Sequence, residues 1–254
     1  MQKGVFLAII SFSCINLFAQ DDYVLEDYKT NETNIIEDHY DKPNPDYTSY
    51  FMTPSAYTLT SRDFRFASND IIFLKASYGF TNNTTASLNV SMFSSVVASV
   101  KQNIKRNETV SLSITASVGD LYAASEDTTV AFTGGSFQAT IGDHQNNLTF
   151  GTGVYYIGSN IDIINEQSQF FFHTVNVGFQ NQISKHIYFL AEGLYFTNYS
   201  VFTGGVGLKF VVKRKYSINV GAMPVLWNNI RTSRHDFSSG VIPFFSVRML
   251  IERN

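Results

Sequence analysis

The chain has 254 residues, a formal net charge of −3 and 44% hydrophobic residues, with 23 Phe and 14 Tyr. Past the N-terminus no run approaches about eighteen consecutive apolar residues, which excludes a membrane-spanning helix. No basic cluster is interleaved with aromatics, so nucleic acid is not an expected partner.

Residues 1–20 read as a secretory signal peptide: Lys3 is the positive start, Gly4 to Leu17 the apolar run, and Phe18-Ala19-Gln20 the cleavage region. Cys14, the only cysteine, lies inside that run, with Ser11 where a lipidation motif wants a Leu-like residue. The mature chain therefore has no thiol for a disulfide or a zinc site, and no cofactor is expected. Residues 21–50 form an acidic leader, where Lys29 and Lys42 stand against about nine carboxylates. The leader lacks apolar periodicity and contains Lys42-Pro43-Asn44-Pro45-Asp46, so it reads as flexible. Residues 51–254 are expected to form one β-domain. Pro54, in Tyr50-Phe51-Met52-Thr53-Pro54-Ser55-Ala56-Tyr57, argues against a central strand there.

From about residue 58 onward the chain alternates. A first strand is predicted over 58–68, with Phe64 and Phe66 on one face and Arg65 on the other. Ile71 to Phe80 sets Leu74, Ala76 and Tyr78 against Phe73, Lys75 and Ser77. The pattern is clearest over Glu108 to Val118. There Val110, Leu112, Ile114, Ala116 and Val118 alternate with Ser111, Ser113, Thr115 and Ser117, all small, polar and uncharged. A period of two marks a strand with one apolar and one wet face, and about ten tilted residues span a bilayer's hydrocarbon layer. Further strands follow from 84, over 95–104, up to Gly142, and over 147–157, 168–180, 187–196, 201–212, 216–225 and 241–253. The total is twelve. Connections near 82, 106, 145, 184 and 214 are brief, whereas those near 122, 162 and 233 are long and fall at the other end. Short periplasmic turns and longer outer loops are the habit of bacterial barrels. The predicted fold is all-β: a transmembrane, antiparallel, up-and-down β-barrel in the bacterial outer membrane.

Several segments resemble an uncharacterised family of outer-membrane β-barrel proteins from Bacteroidota. They are Tyr50 to Tyr57, Ser77-Tyr78-Gly79-Phe80-Thr81-Asn82-Asn83, Gly142 to Gly151, and Gly204-Gly205-Val206-Gly207-Leu208-Lys209-Phe210. The resemblance implies an outer-membrane barrel and carries no functional residues.

Inside such a barrel the predicted lumen-lining charges are Lys75, Lys101, Glu192, Lys209 and Arg248, joined by Glu252. Inward charges select permeants in porin-like proteins, although the same residues can simply pair within a filled interior. Gly151, Gly153, Gly205 and Gly207 leave space inside; Phe73, Phe93 and Tyr155 take some back. The acidic leader is either a plug for this slightly basic lumen or, the preferred reading, a free periplasmic tether. None of the five histidines has metal-pair spacing. His173 faces outward near the loop end of its strand, where membrane acyl hydrolases carry a His and a Ser, but Val175 stands where a His-x-Ser pair would need the serine. No catalytic residue is assigned. The expected function is a narrow pore for small polar solutes or a structural membrane component. The alternative is a non-conducting scaffold subunit of an envelope secretion or motility complex. Expected partners are outer-membrane lipid and other envelope proteins.

Overall fold

The period-two stretches fold as strands whose hydroxyl-bearing residues turn inward and whose apolar residues turn outward. The computed structural model describes residues 50–70, 73–91, 95–106, 109–122, 129–159, 169–198, 200–212, 215–228 and 237–251. The expected signal peptide, the expected acidic leader up to residue 49, Phe93 and Glu252 lie outside the described residues.

Twelve strands are present: β1 (Phe64–Asn69), β2 (Phe73–Thr81), β3 (Thr84–Ser91), β4 (Ser95–Arg106), β5 (Val110–Tyr122), β6 (Thr129–Gly142), β7 (Asn147–Ser159), β8 (Gln169–Ser184), β9 (Ile187–Phe196), β10 (Val201–Val212), β11 (Tyr216–Asn228) and β12 (Phe237–Ile251). Each pairs with its sequence neighbours, and β1 closes the ring on β12 from Phe64↔Ile251 to Asn69↔Ser246. Every pairing is antiparallel, so no strand edge is left open for another chain to extend.

Several strands run further than expected, with β5 reaching Tyr122, β8 Ser184 and β11 Asn228, and β12 starting at Phe237; the largest departure is at the start of the barrel. The first strand begins at Phe64, not at residue 58. The alternation that defines a wall strand does not extend back past Asp63, and Arg62 adopts a positive φ of 74° that turns the chain into β1.

The two ends of the barrel differ. At the turn end, the connections after β2, β4, β6, β8 and β10 are brief. Between β6 and β7, Asp143 Oδ1 accepts from the backbone N–H groups of Gln145 (2.7 Å) and Asn146 (2.6 Å), an Asp side chain closing its own turn. Gly142 leads into that turn at φ 113°, and a Cβ there would collide with the Asn146 carbonyl, so the position demands glycine. Register shifts at Gly79/Thr81, Asn103/Lys105 and Gln182/Ser184 all lie at this rim, where barrels commonly bend.

Inside and outside are inverted relative to a soluble protein. Ser77, Ser99, Ser113, Thr149, Asn219 and Ser246 are buried, while Leu74, Val100, Ile114, Phe150, Val175 and Val206 are exposed. Water would not tolerate so continuous an apolar exterior, whereas a lipid bilayer requires one.

Candidate functional site: a lumen closed by residues 50–59

Tyr50 to Leu59 contributes no strand to the wall and lies inside the barrel. Tyr50, Phe51, Ser55, Ala56, Thr58 and Leu59 are wholly buried. The segment is a loop whose two limbs sit toward the turn end. Tyr50 donates its hydroxyl to Asn147 Oδ1 (2.5 Å) at the start of β7, and Thr58 donates to the Asn82 carbonyl (2.8 Å) in the β2–β3 turn. Between them, Thr53 and Pro54 reach deepest, beside Tyr155, Thr174, Asn176 and Leu194. The cleft left there has room for about one water molecule.

Glu192, on β9, holds the apex. Its carboxylate accepts from the backbone N–H groups of Phe51 (3.1 Å), Met52 (2.9 Å) and Thr53 (2.8 Å), and from the Thr53 hydroxyl (2.9 Å). Successive N–H groups converging on one anion form a nest, and bonds to an ionised acceptor are about twice as strong as neutral ones. The cations then take the opposite pole of the same backbone. Arg248 donates to the carbonyls of Tyr50 (3.2 Å) and Phe51 (3.3 Å), and Lys101 Nζ donates to the Ser55 carbonyl (2.9 Å). Asn103 donates to the Ala56 carbonyl (2.9 Å), and the Thr85 hydroxyl accepts from Leu59 N–H (2.8 Å).

Glycines on the wall make room for the rings. A Cβ at Gly178 would strike the Tyr50 ring, and one at Gly221 would lie 2.7 Å from Phe51. Phe51 also meets Phe244 edge-on at 5.1 Å. At the turn end Tyr57 donates to the Gly142 carbonyl (3.1 Å), and its ring meets His144 edge-on at 5.0 Å. The His144 imidazole is held down to about 4, chiefly by burial and in part by the Arg106 charge, with Asp143 offsetting some of both.

Of the charges singled out in the sequence, Lys75, Lys101, Lys209 and Arg248 are all buried within the barrel. Lys209 donates to Gln180 Oε1 (2.8 Å), whose amide in turn donates to the His144 carbonyl (3.0 Å). Lys101, Arg248 and Glu192 converge on the loop. Arg65, set by alternation on the face opposite Phe64 and Phe66, is a further buried charge not counted among the lumen residues; sequence reasoning missed the buried Asp63 and above all the loop itself. The available signal was the combination of Pro54 with six apolar residues that follow no period.

His173 lies on the outer face, as expected. Its neighbour-strand partner is a threonine: Thr152 Oγ1 is 2.7 Å from Nε2, with Thr197 Oγ1 3.4 Å from Nδ1. Among the described residues the hydroxyls on this imidazole come from threonines, not from a serine. Among the described residues no cluster of His, Cys, Asp or Glu could hold a metal ion.

No protein-family model matches the chain, and no curated protein matches it in sequence. Among solved structures it is similar to the NanC porin, at 14% identity and a TM-score of 0.47 over 74% of this chain and 98% of that one. It is similar also to the KdgM porin in complex with disordered oligogalacturonate, at 14% identity and a TM-score of 0.43 over 76% of this chain and 98% of that one. A third is the Acinetobacter baumannii outer membrane protein Omp33, at 8% identity and a TM-score of 0.36 over 74% of this chain and 95% of that one.

Proposed function

We propose that this chain is an outer-membrane β-barrel, of the Bacteroidota kind its motifs resemble, that passes small polar solutes when the 50–59 loop withdraws. The observation that carries the reading is the combination of a polar wall with a removable stopper. Ser, Thr, Asn and charged residues line the interior, a surface that water can wet once the loop has gone. Both limbs of the loop lie at the turn end, so it can leave without threading or breaking any wall pairing. Twelve strands sit between the filled barrels of about eight and the open channels of about sixteen. The exterior supports a membrane setting, since its exposed Leu, Val, Ile and Phe suit lipid.

The test compares the full chain with a variant whose residues 50–59 are replaced by a Gly/Ser linker of equal length, both in planar bilayers. The full chain should be closed most of the time and the variant steadily conducting. If the variant is silent while its gel mobility still shifts on heating, as a folded barrel's does, the pore reading fails. A second reading, a structural membrane component, draws on the tightness of the loop's hydrogen bonding, and silence of the variant would favour it. Co-purification of envelope proteins with the silent barrel would favour the scaffold form of that reading.

A further inference from the structure

The buried charges are not spread evenly around the lumen. On β1 the inward Ala67 stands opposite Lys75 of β2 and Arg248 of β12, and Arg65, two residues along the same face, stands opposite Ser77 and Leu250. Three cations on three adjacent strands thus surround one small residue, and all three are at most 4% exposed. The cluster continues on both sides. Arg248 is opposite Ser217 of β11, and two residues along that strand Asn219 is opposite Lys209 of β10. In the other direction, Ser77 faces Ser87 of β3, and Thr85 of the same strand faces Lys101 of β4.

The wall from β5 to β8 is different. Its buried inward residues include Ser113, Thr115, Gln138, Thr149, Thr174 and Asn176, together with Phe132, Tyr155 and Phe172, and none of the buried residues on these strands carries a formal charge. Among the described residues the interior therefore holds five buried cations, Arg65, Lys75, Lys101, Lys209 and Arg248, against two carboxylates, Asp63 and Glu192. The closed state also accounts for Glu192, because the loop's N–H groups surround its carboxylate. When the loop leaves, Arg248 and Lys101 lose the carbonyls of Tyr50, Phe51 and Ser55 while Glu192 loses its N–H donors, so five cations still stand against two carboxylates in the interior. Cations held at a low-dielectric wall recruit mobile anions from solution.

We infer that the unplugged lumen selects anions, and that its permeants are small solutes bearing carboxylate or phosphate groups, drawn along the basic wall of β10, β12, β1, β2 and β4. This rests on the pore reading above. It concerns which solutes pass, not whether any do.

The experiment uses the loop-replaced full chain in planar bilayers under a KCl gradient, with chloride as the probe anion. The zero-current potential should show chloride several-fold more permeant than potassium. Adding Lys75→Glu and Lys101→Glu converts the cation excess to a slight carboxylate excess, and the potential should change sign. Where that double variant does not fold, Lys75→Gln with Lys101→Gln should lower the chloride preference without abolishing conductance. A conducting barrel that is unselective or prefers potassium overturns the inference and leaves the pore reading standing. A folded but silent barrel overturns both.

Discussion

The hydroxyls of Thr140 on β6 and Thr149 on β7 lie 2.7 Å apart, and each holds one limb of the lumen loop. Thr140 Oγ1 accepts from Ala56 N–H at 2.8 Å, and Thr149 Oγ1 meets the Tyr50 hydroxyl at 2.7 Å. One cross-strand pair thus fixes the spacing of the limbs.

Thr140→Val leaves the Ala56 N–H buried without that acceptor, which costs about 1–3 kcal/mol. Thr149→Val costs less, about 1 kcal/mol, because the Tyr50 hydroxyl retains Asn147. Opening is measured as the maleimide labelling rate of a cysteine placed at the buried Ser55. Each kcal/mol lost should speed labelling about fivefold. Equal rates in the two variants would show that the pair does not hold the limbs as described.

Glu192→Gln should open the loop further. The amide keeps one acceptor oxygen but turns an NH₂ toward backbone N–H groups that now have no carboxylate. Losing two charge-assisted bonds costs about 3 kcal/mol. Labelling at residue 55 should exceed that of Thr140→Val, and spontaneous conductance should appear in the otherwise intact chain. A variant that stays as closed as the parent would remove Glu192 from the clamp.

How far the sequence could be read follows from these same residues. The wall was legible because one face touches an apolar phase and the other a polar one, and that contrast is written into every second residue, as over Val110 to Val118. Lys75, Lys101, Lys209 and Arg248 could be placed inward by parity alone. The loop could not be found this way. It meets a wall of mixed character, Glu192 and Thr140 in some places and Leu190, Met223 and Phe244 in others, so Tyr50, Phe51, Ala56 and Tyr57 answer to individual partners and no period emerges. The lumen glycines were read as empty space; Gly205 and Gly207 instead accommodate Phe51. Only the pairing of a bulky loop residue with a missing wall side chain distinguishes those two readings, and it is set by contacts distant in sequence.

Gly178→Ala tests that complementarity. The added methyl meets the Tyr50 ring, and overpacking of this kind costs about 1–3 kcal/mol. The wall pairing of Gly178 with Thr149 and Glu192 involves backbone only and should survive. Loop labelling should rise while the heat-modifiable gel shift is unchanged. In a Tyr50→Ala background the same glycine substitution should add almost nothing; a full additive effect there would place the clash elsewhere.

Acid should loosen the turn end through His144. An unfolded imidazole takes its proton near 6.5, whereas the buried one resists until about 4. Between those values the unfolded chain binds a proton that the folded chain does not, so stability rises with pH across that window. The contribution is complete above about 6.5, is lost progressively as pH falls to about 4, and totals about 3 kcal/mol. Thermal midpoints in detergent should fall over this interval, and His144→Phe, which preserves the edge contact to Tyr57, should flatten the fall. A midpoint that drops equally in His144→Phe would assign the acid sensitivity to other groups.

The outward face supplies the most demanding test, because every other statement presumes its solvent. Ile114 lies on the outer side of β5, half exposed, between strand partners Gln102 and Phe137. If lipid surrounds it, Ile114→Arg places a cation further into the apolar belt than Ile141 lies, at a cost of up to about 2–4 kcal/mol that shrinks toward the rims. If water surrounds it, the change is an ordinary surface substitution worth less than about 0.5 kcal/mol. Unfolding in lipid vesicles should therefore show a large loss for Ile114→Arg and a smaller one for the same substitution at the rim residue Ile141, which is equally exposed beside the β6–β7 turn. Depth dependence is the discriminating feature. A soluble barrel has no reason to treat two exposed isoleucines differently.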